Sequence, residues 1–101
     1  MSTNDALPIP DAAKEDPKSL ELIRIWIAKG DQEVILRPDV WEDPAHWGIM
    51  LCDLMRHLAN AYEESHGYNP VKTFARIKEM LDLEFASPTD EPMGGLVDED
   101  E

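Results

Sequence analysis

Asp53, Arg56, His57 and Asn60 are the residues whose types and spacing could do chemistry in this 101-residue chain. Asp53 and His57 stand four apart, as do Arg56 and Asn60, so on a helix each pair shares one flank. A carboxylate four residues before an imidazole can orient the ring, or both can approach one metal ion. Arg56 offers a planar fork of donors suited to a carboxylate or small anion, with Asn60 beside it. The ordinary reading of such spacings is a solvated helix face with i,i+4 pairs, and it is the favoured one. The four residues form a candidate ligand-binding set, and no catalytic residue is assigned.

Other reactive side chains point to no site. His46 and His57 fall on nearly one side of a helix, but roughly 16 Å of axial rise separates them, too far for one metal ion. His66 stands where a helix should end and would complement the dipole there. Cys52 is the single cysteine, so it can close no intrachain disulfide, and mid-helix it gains no thiolate-stabilising field. It reads as a buried, inert thiol. Met93-Gly94-Gly95 has neither the lysine nor the following helix of a phosphate loop. No metal site and no cofactor are expected.

These residues need a helix to hold them, and the stretch Asp43–Ser65 supplies one. Asp43 is a good N-cap and Pro44 suits the first helical position. Trp47, Met50, Leu51, Leu54, Met55, Leu58, Ala61 and Tyr62 recur at three- and four-residue steps, a wide apolar stripe. Asp53, Arg56, His57, Asn60, Glu63 and Glu64 occupy the opposite side. Gly67 is a C-terminal cap, and Asn69-Pro70 repeats the cap-plus-proline signal. A second helix then runs to about Ala86, with Val71, Phe74, Ile77, Leu81 and Phe85 on its buried side. The short connection makes the two helices antiparallel.

Ahead of them, Leu20–Ala28 and Glu33–Arg37 read as strands joined at Lys29-Gly30-Asp31 in an antiparallel hairpin. Alternation puts Ile23, Ile25 and Ile27 on one face, the better core candidate, and Leu20, Leu22, Arg24 and Trp26 on the other. Trp26 then lies outward, where it is a candidate interface anchor. Trp41 and Trp47 are read as staple and core. An isolated hairpin is marginal in water, so this one must lean on the helices or pair with another hairpin.

The fold class is therefore α+β, a hairpin followed by an antiparallel helix pair, over residues 19–87. Residues 1–18, with three prolines, and the acidic tail 88–101 are expected to be disordered. The net charge is −13. The tail's six acids and no bases give it −6, while residues 19–87 carry twelve acids against seven bases, or −5. An acidic chain repels phosphate backbones and anionic membrane surfaces, so neither nucleic acid nor membrane is an expected partner. No stretch approaches the ~20 apolar residues of a membrane span, and the N-terminus has no signal-peptide pattern. With one thiol, a soluble cytoplasmic protein is expected.

The segments LRPDVWEDPAHWGIMLCDLMRHLANAY (Leu36–Tyr62) and FASPTDEP (Phe85–Pro92), with the aliphatic hairpin before them, resemble a small bacterial family known as a domain of unknown function. The resemblance implies a short free-standing cytoplasmic domain and carries over no functional residue. It also implies that order extends through Pro92. From the residues, the leading function is a non-enzymatic protein-interaction module, a homodimer joined through the hairpin. The alternative is a small-molecule or anion binding protein or enzyme using Asp53, Arg56, His57 and Asn60.

Overall fold

Lys29 and Gly30 reverse the chain in a two-residue turn with φ of 54° and 82°. Positive φ at both central positions is the turn whose twist matches two antiparallel strands. It joins β1 (Ile23–Ala28) to β2 (Asp31–Leu36), paired from Ala28 opposite Asp31 out to Ile23 opposite Leu36. The Arg37 N–H donates to the Leu22 carbonyl at 3.0 Å and continues the ladder one step further. Lysine has a Cβ that disfavours the left-handed region, whereas asparagine enters it readily. Lys29→Asn should therefore stabilise the hairpin by roughly 0.5–1 kcal/mol, read as a higher thermal midpoint; an unchanged midpoint would show that the turn is not strained.

The computed structural model describes residues 5–87, so the expectations for the acidic tail 88–101, order through Pro92 included, lie outside the described residues. The chain divides into two compact units, Met1–Asp43 and Pro44–Glu101. The first unit holds the hairpin and, before it, a short helix α1 (Asp11–Glu15) that buries no residue. Its proline-flanked composition does not announce that helix. Local hydrogen bonds hold its C-terminal end. The Ser19 hydroxyl lies 2.7 Å from the carbonyls of Ala13 and of Asp16, and the Asp16 carboxylate accepts from the Lys18 N–H at 2.9 Å.

Face assignment in the hairpin differs from expectation. Alternation does segregate the side chains, but Ile25 and Ile27, at 53% and 76% exposure, are open, while Arg24, Trp26 and Ala28 are half-buried. Residues 5–10 line a groove together with Ile23, Arg24, Ile25 and Trp26 of β1. Hydrophobicity ranked the two faces of β1 in the opposite order, because alternation identifies a face and not what covers it.

The second unit is an antiparallel pair, α2 (Ala45–His66) and α3 (Pro70–Ala86). α2 starts one residue later than expected, with Pro44 in the N-cap position and its carbonyl accepting from the Trp47 N–H. It ends at Gly67, whose φ of 71° is the left-handed cap conformation that favours glycine. Asn69 caps α3: its side-chain oxygen accepts from the Lys72 N–H at 3.0 Å, and Pro70 follows. Asn69→Ala should cost about 1 kcal/mol and lower the thermal midpoint by several degrees, with loss of helical ellipticity as the direct check.

The seam between the helices is narrower than the apolar patterning suggests. Ala59 is the one buried residue among those described, 3% exposed, with Cys52 and Met55 half-buried beside it. On α3 the half-buried positions are Pro70, Thr73, Phe74, Ile77 and Glu84. Val71 and Phe85, expected in the core, are 76% and 78% exposed, and Leu81 is also exposed. At about 100° per residue Leu81 and Phe85 still fall on the side of Phe74 and Ile77, so the patterning finds their face but not how much of it α2 covers. No described large side chain is fully buried. No helix is long and apolar enough to cross a membrane among the described residues.

Candidate functional site

All four candidate ligand-binding residues lie on the exposed side of α2. Their pairing is not the expected one. Arg56 Nη1 donates to Asp53 Oδ1 at 3.2 Å, an i,i+3 pair, rather than reaching Asn60. The Arg56 guanidinium carbon also lies 5.8 Å from the centre of the Phe74 ring. Arg56 thus spans the two helices, covering an aromatic of α3 with a cation that Asp53 holds in place. Both members of the ion pair are more than half exposed, so its contribution to stability is small. None of the four residues lines either groove described below. Among the described residues no group of three or more His, Cys, Asp or Glu side chains is placed to hold a metal ion.

One cluster escaped the sequence reading. Tyr62, His66 and Tyr68 gather at the α2–α3 turn, with ring centroids 5.2–5.9 Å apart and the two tyrosines stacked within 5° of parallel. The Ser65 hydroxyl and His66 Nδ1 are hydrogen-bonded at 2.6 Å. The i,i+4 spacing of Tyr62 and His66 was the available signal. Tyr68 joins them only because Gly67 turns the chain back. The stacked rings and the hydroxyl pin the connection between the helices.

Two grooves accompany these elements. The larger, about 680 Å³, lies in the first unit between residues 5–10 and the outer edge of β1, with Leu7, Ile9, Leu20, Ile23 and Trp26 in its lining. Arg24 also lines it, its guanidinium bound at both Nε and Nη2 to the Glu21 carboxylate, at 2.9–3.1 Å. The smaller is a shallow furrow on α3 edged by Lys78 and Asp82. The Asp82 carboxylate accepts from Lys78 Nζ at 2.9 Å, and that hydrogen bond, then the negative charge, raises the ammonium pKa above its ordinary value. The pair's contribution is present below the ordinary lysine range and lost as pH rises through the raised value. At a fully exposed site it is minor.

One face of the hairpin is apolar and open. Cross-strand register places Ile23, Ile25 and Ile27 on the same face as Val34 and Leu36. Ile25, Ile27, Val34 and Leu36 are all exposed there, and every position of β2 is exposed. An aliphatic sheet face in water marks a contact surface more often than a catalytic one. Trp26, the sequence's interface candidate, sits half-buried on the other face, on the groove.

Comparison with known proteins places the chain in a wider setting. It is similar to a solved structure from the photosynthetic bacterium Rhodopseudomonas palustrus CGA009, provisionally named a pyruvate dehydrogenase, with 26% identity and a TM-score of 0.71. The match covers 97% of this chain and 100% of that one. No curated protein matches the chain. The family model for the domain of unknown function DUF5076 matches residues 6–89, and the chain belongs to that family.

Proposed function

We propose that this chain is a non-enzymatic protein-interaction module that works as a homodimer joined through its hairpin. The observation that carries the reading is the uncovered aliphatic face of Ile25, Ile27, Val34 and Leu36. Two such faces stack about 10 Å apart in ordinary sheet-on-sheet packing, and a two-stranded sheet gains from the company. Self-pairing needs no surface beyond the one the chain already carries, which is why a two-fold contact suits it. A reducing, cytoplasmic setting fits the lone Cys52, which is only half-buried and has no second cysteine in the chain to pair with.

The name carried by the R. palustrus relative stays with that protein. Oxidative chemistry on a 2-oxo acid calls for a site that excludes water. The grooves described here are open, and aliphatic side chains and surface ion pairs line them. Sedimentation equilibrium over a micromolar concentration series tests the dimer. A mass that rises with concentration supports it, and a constant monomer mass removes it.

A further inference from the structure

β2 pairs with β1 along one edge and leaves its other edge open. The Arg37 N–H donates inward, to the Leu22 carbonyl. Bonded and non-bonded positions alternate along an antiparallel pair, so Asp31, Glu33 and Ile35 also turn their backbone groups toward β1. Gln32, Val34 and Leu36 turn theirs away. Among the described residues no third strand takes them, and every position of β2 is exposed. Such an edge is a template for another strand, and folds blunt it with bulges, prolines or unmatched charges. The register of β2 with β1 runs unbroken from Asp31 to Leu36, and the first proline after it is Pro38. Its charges, Asp31 and Glu33, decide a register rather than forbid the pairing.

We propose that this edge pairs antiparallel with the same edge of a second copy, about a two-fold axis at Val34, so that two hairpins form one four-stranded sheet. The proposal rests on the homodimer reading and adds a second surface to it, since the aliphatic face offers side chains whereas the edge offers backbone. With Val34 opposite Val34, Gln32 meets Leu36, and each such pair exchanges both of its outward hydrogen bonds. Asp31 of one copy then meets Arg37 of the other, and both residues are exposed. Among the described residues neither enters an ion pair of its own chain. Arg37 spends Nε on the Glu21 carbonyl, at 3.3 Å, which leaves its two Nη nitrogens as donors for the carboxylate. Glu33 faces Ile35, with Arg37 of the other copy on one diagonal and its own copy on the other. A slip toward the turn sets Glu33 directly against Glu33. A slip the other way sets Gln32 against Pro38, which has no N–H to give. One register therefore satisfies the backbone and the charges together. Four strands with an apolar face also stand where a lone hairpin is marginal.

The test uses the full chain with Ile25→Lys and Ile27→Lys, which block the aliphatic face from β1 and leave β2 unchanged. Sedimentation equilibrium should still show a dimer. The amides of Gln32, Val34 and Leu36 should exchange with solvent about tenfold more slowly at high than at low micromolar concentration. Face stacking makes no bond to these amides and does not protect them. Adding Gln32→Pro, which removes an outward N–H and none donated to β1, should give a monomer. In place of that substitution, Asp31→Arg or Arg37→Asp alone should weaken the dimer about tenfold, and the two together should restore it. A face-blocked chain that is already monomeric overturns the edge contact while leaving the face contact standing. Amide exchange independent of concentration overturns it, and so does a double swap that associates no better than either single. The face reading fails separately, if Gln32→Pro in a chain with its aliphatic face intact gives a monomer.

Discussion

Ala59→Phe should lower the thermal midpoint by roughly 5–15 °C, a destabilisation of about 1–3 kcal/mol. Ala59 is 3% exposed where α2 and α3 meet, with half-buried Cys52 and Met55 on the same stripe. A methyl group at that position lets the helices approach, and a phenyl ring has to push them apart or leave its rotamer. The cost is large relative to the whole because no described large side chain is fully buried elsewhere. A pair this thin has little other packing to absorb the strain. Thermal unfolding followed by circular dichroism at one fixed protein concentration reads the effect, and a midpoint within a degree of wild type would show that Ala59 does not set the spacing.

The second large effect belongs to the hairpin. Ile25→Lys with Val34→Lys should convert the dimer joined through the hairpin to monomer. Ile25 and Val34 are directly paired across the strands and face the same way, so both substitutions land at the centre of the proposed contact. Each lysine that takes the place of a central apolar anchor costs about 2 kcal/mol or more, so the pair weakens association by roughly a thousandfold. Sedimentation or light scattering measures the dissociation constant. The same two substitutions on an uncontacted face would leave it unmoved.

Much of the fold was legible in the residues, and the reasons are local. Lys29-Gly30 between two aliphatic runs specifies the hairpin turn, and Asn69-Pro70 specifies the start of α3 through a hydrogen bond that the structure contains. Gly67 ends α2 because the chain there needs positive φ. What stayed hidden was which surface each element turns toward a neighbour. α2 is apolar around so much of its circumference that Leu51, Leu54 and Leu58 outweigh the seam residues Cys52, Met55 and Ala59 in any count of hydrophobicity. Ala59, the best-buried of them, has the smallest side chain and gave the weakest signal. The short helix α1 lies in a segment whose prolines argue for none.

The candidate site shows the same division. Sequence spacing put Asp53, Arg56, His57 and Asn60 on one exposed flank, and they are there. Spacing does not choose between i,i+3 and i,i+4 partners, and the structure takes Asp53 with Arg56. The contact of Arg56 with Phe74 depends on how α3 packs, which no local pattern encodes. The exposed aliphatic face was seen as a core face for a related reason. Alternation identifies a face, whereas its cover is a tertiary or quaternary property.

The account's central claim is that the apolar surface left open by one copy is covered by another. Sedimentation equilibrium of the wild-type full chain, from low to high micromolar concentration, tests it most directly. The expected result is a mass above 11.5 kDa that rises with concentration toward an integral multiple. A single species of 11.5 kDa at every concentration would contradict it.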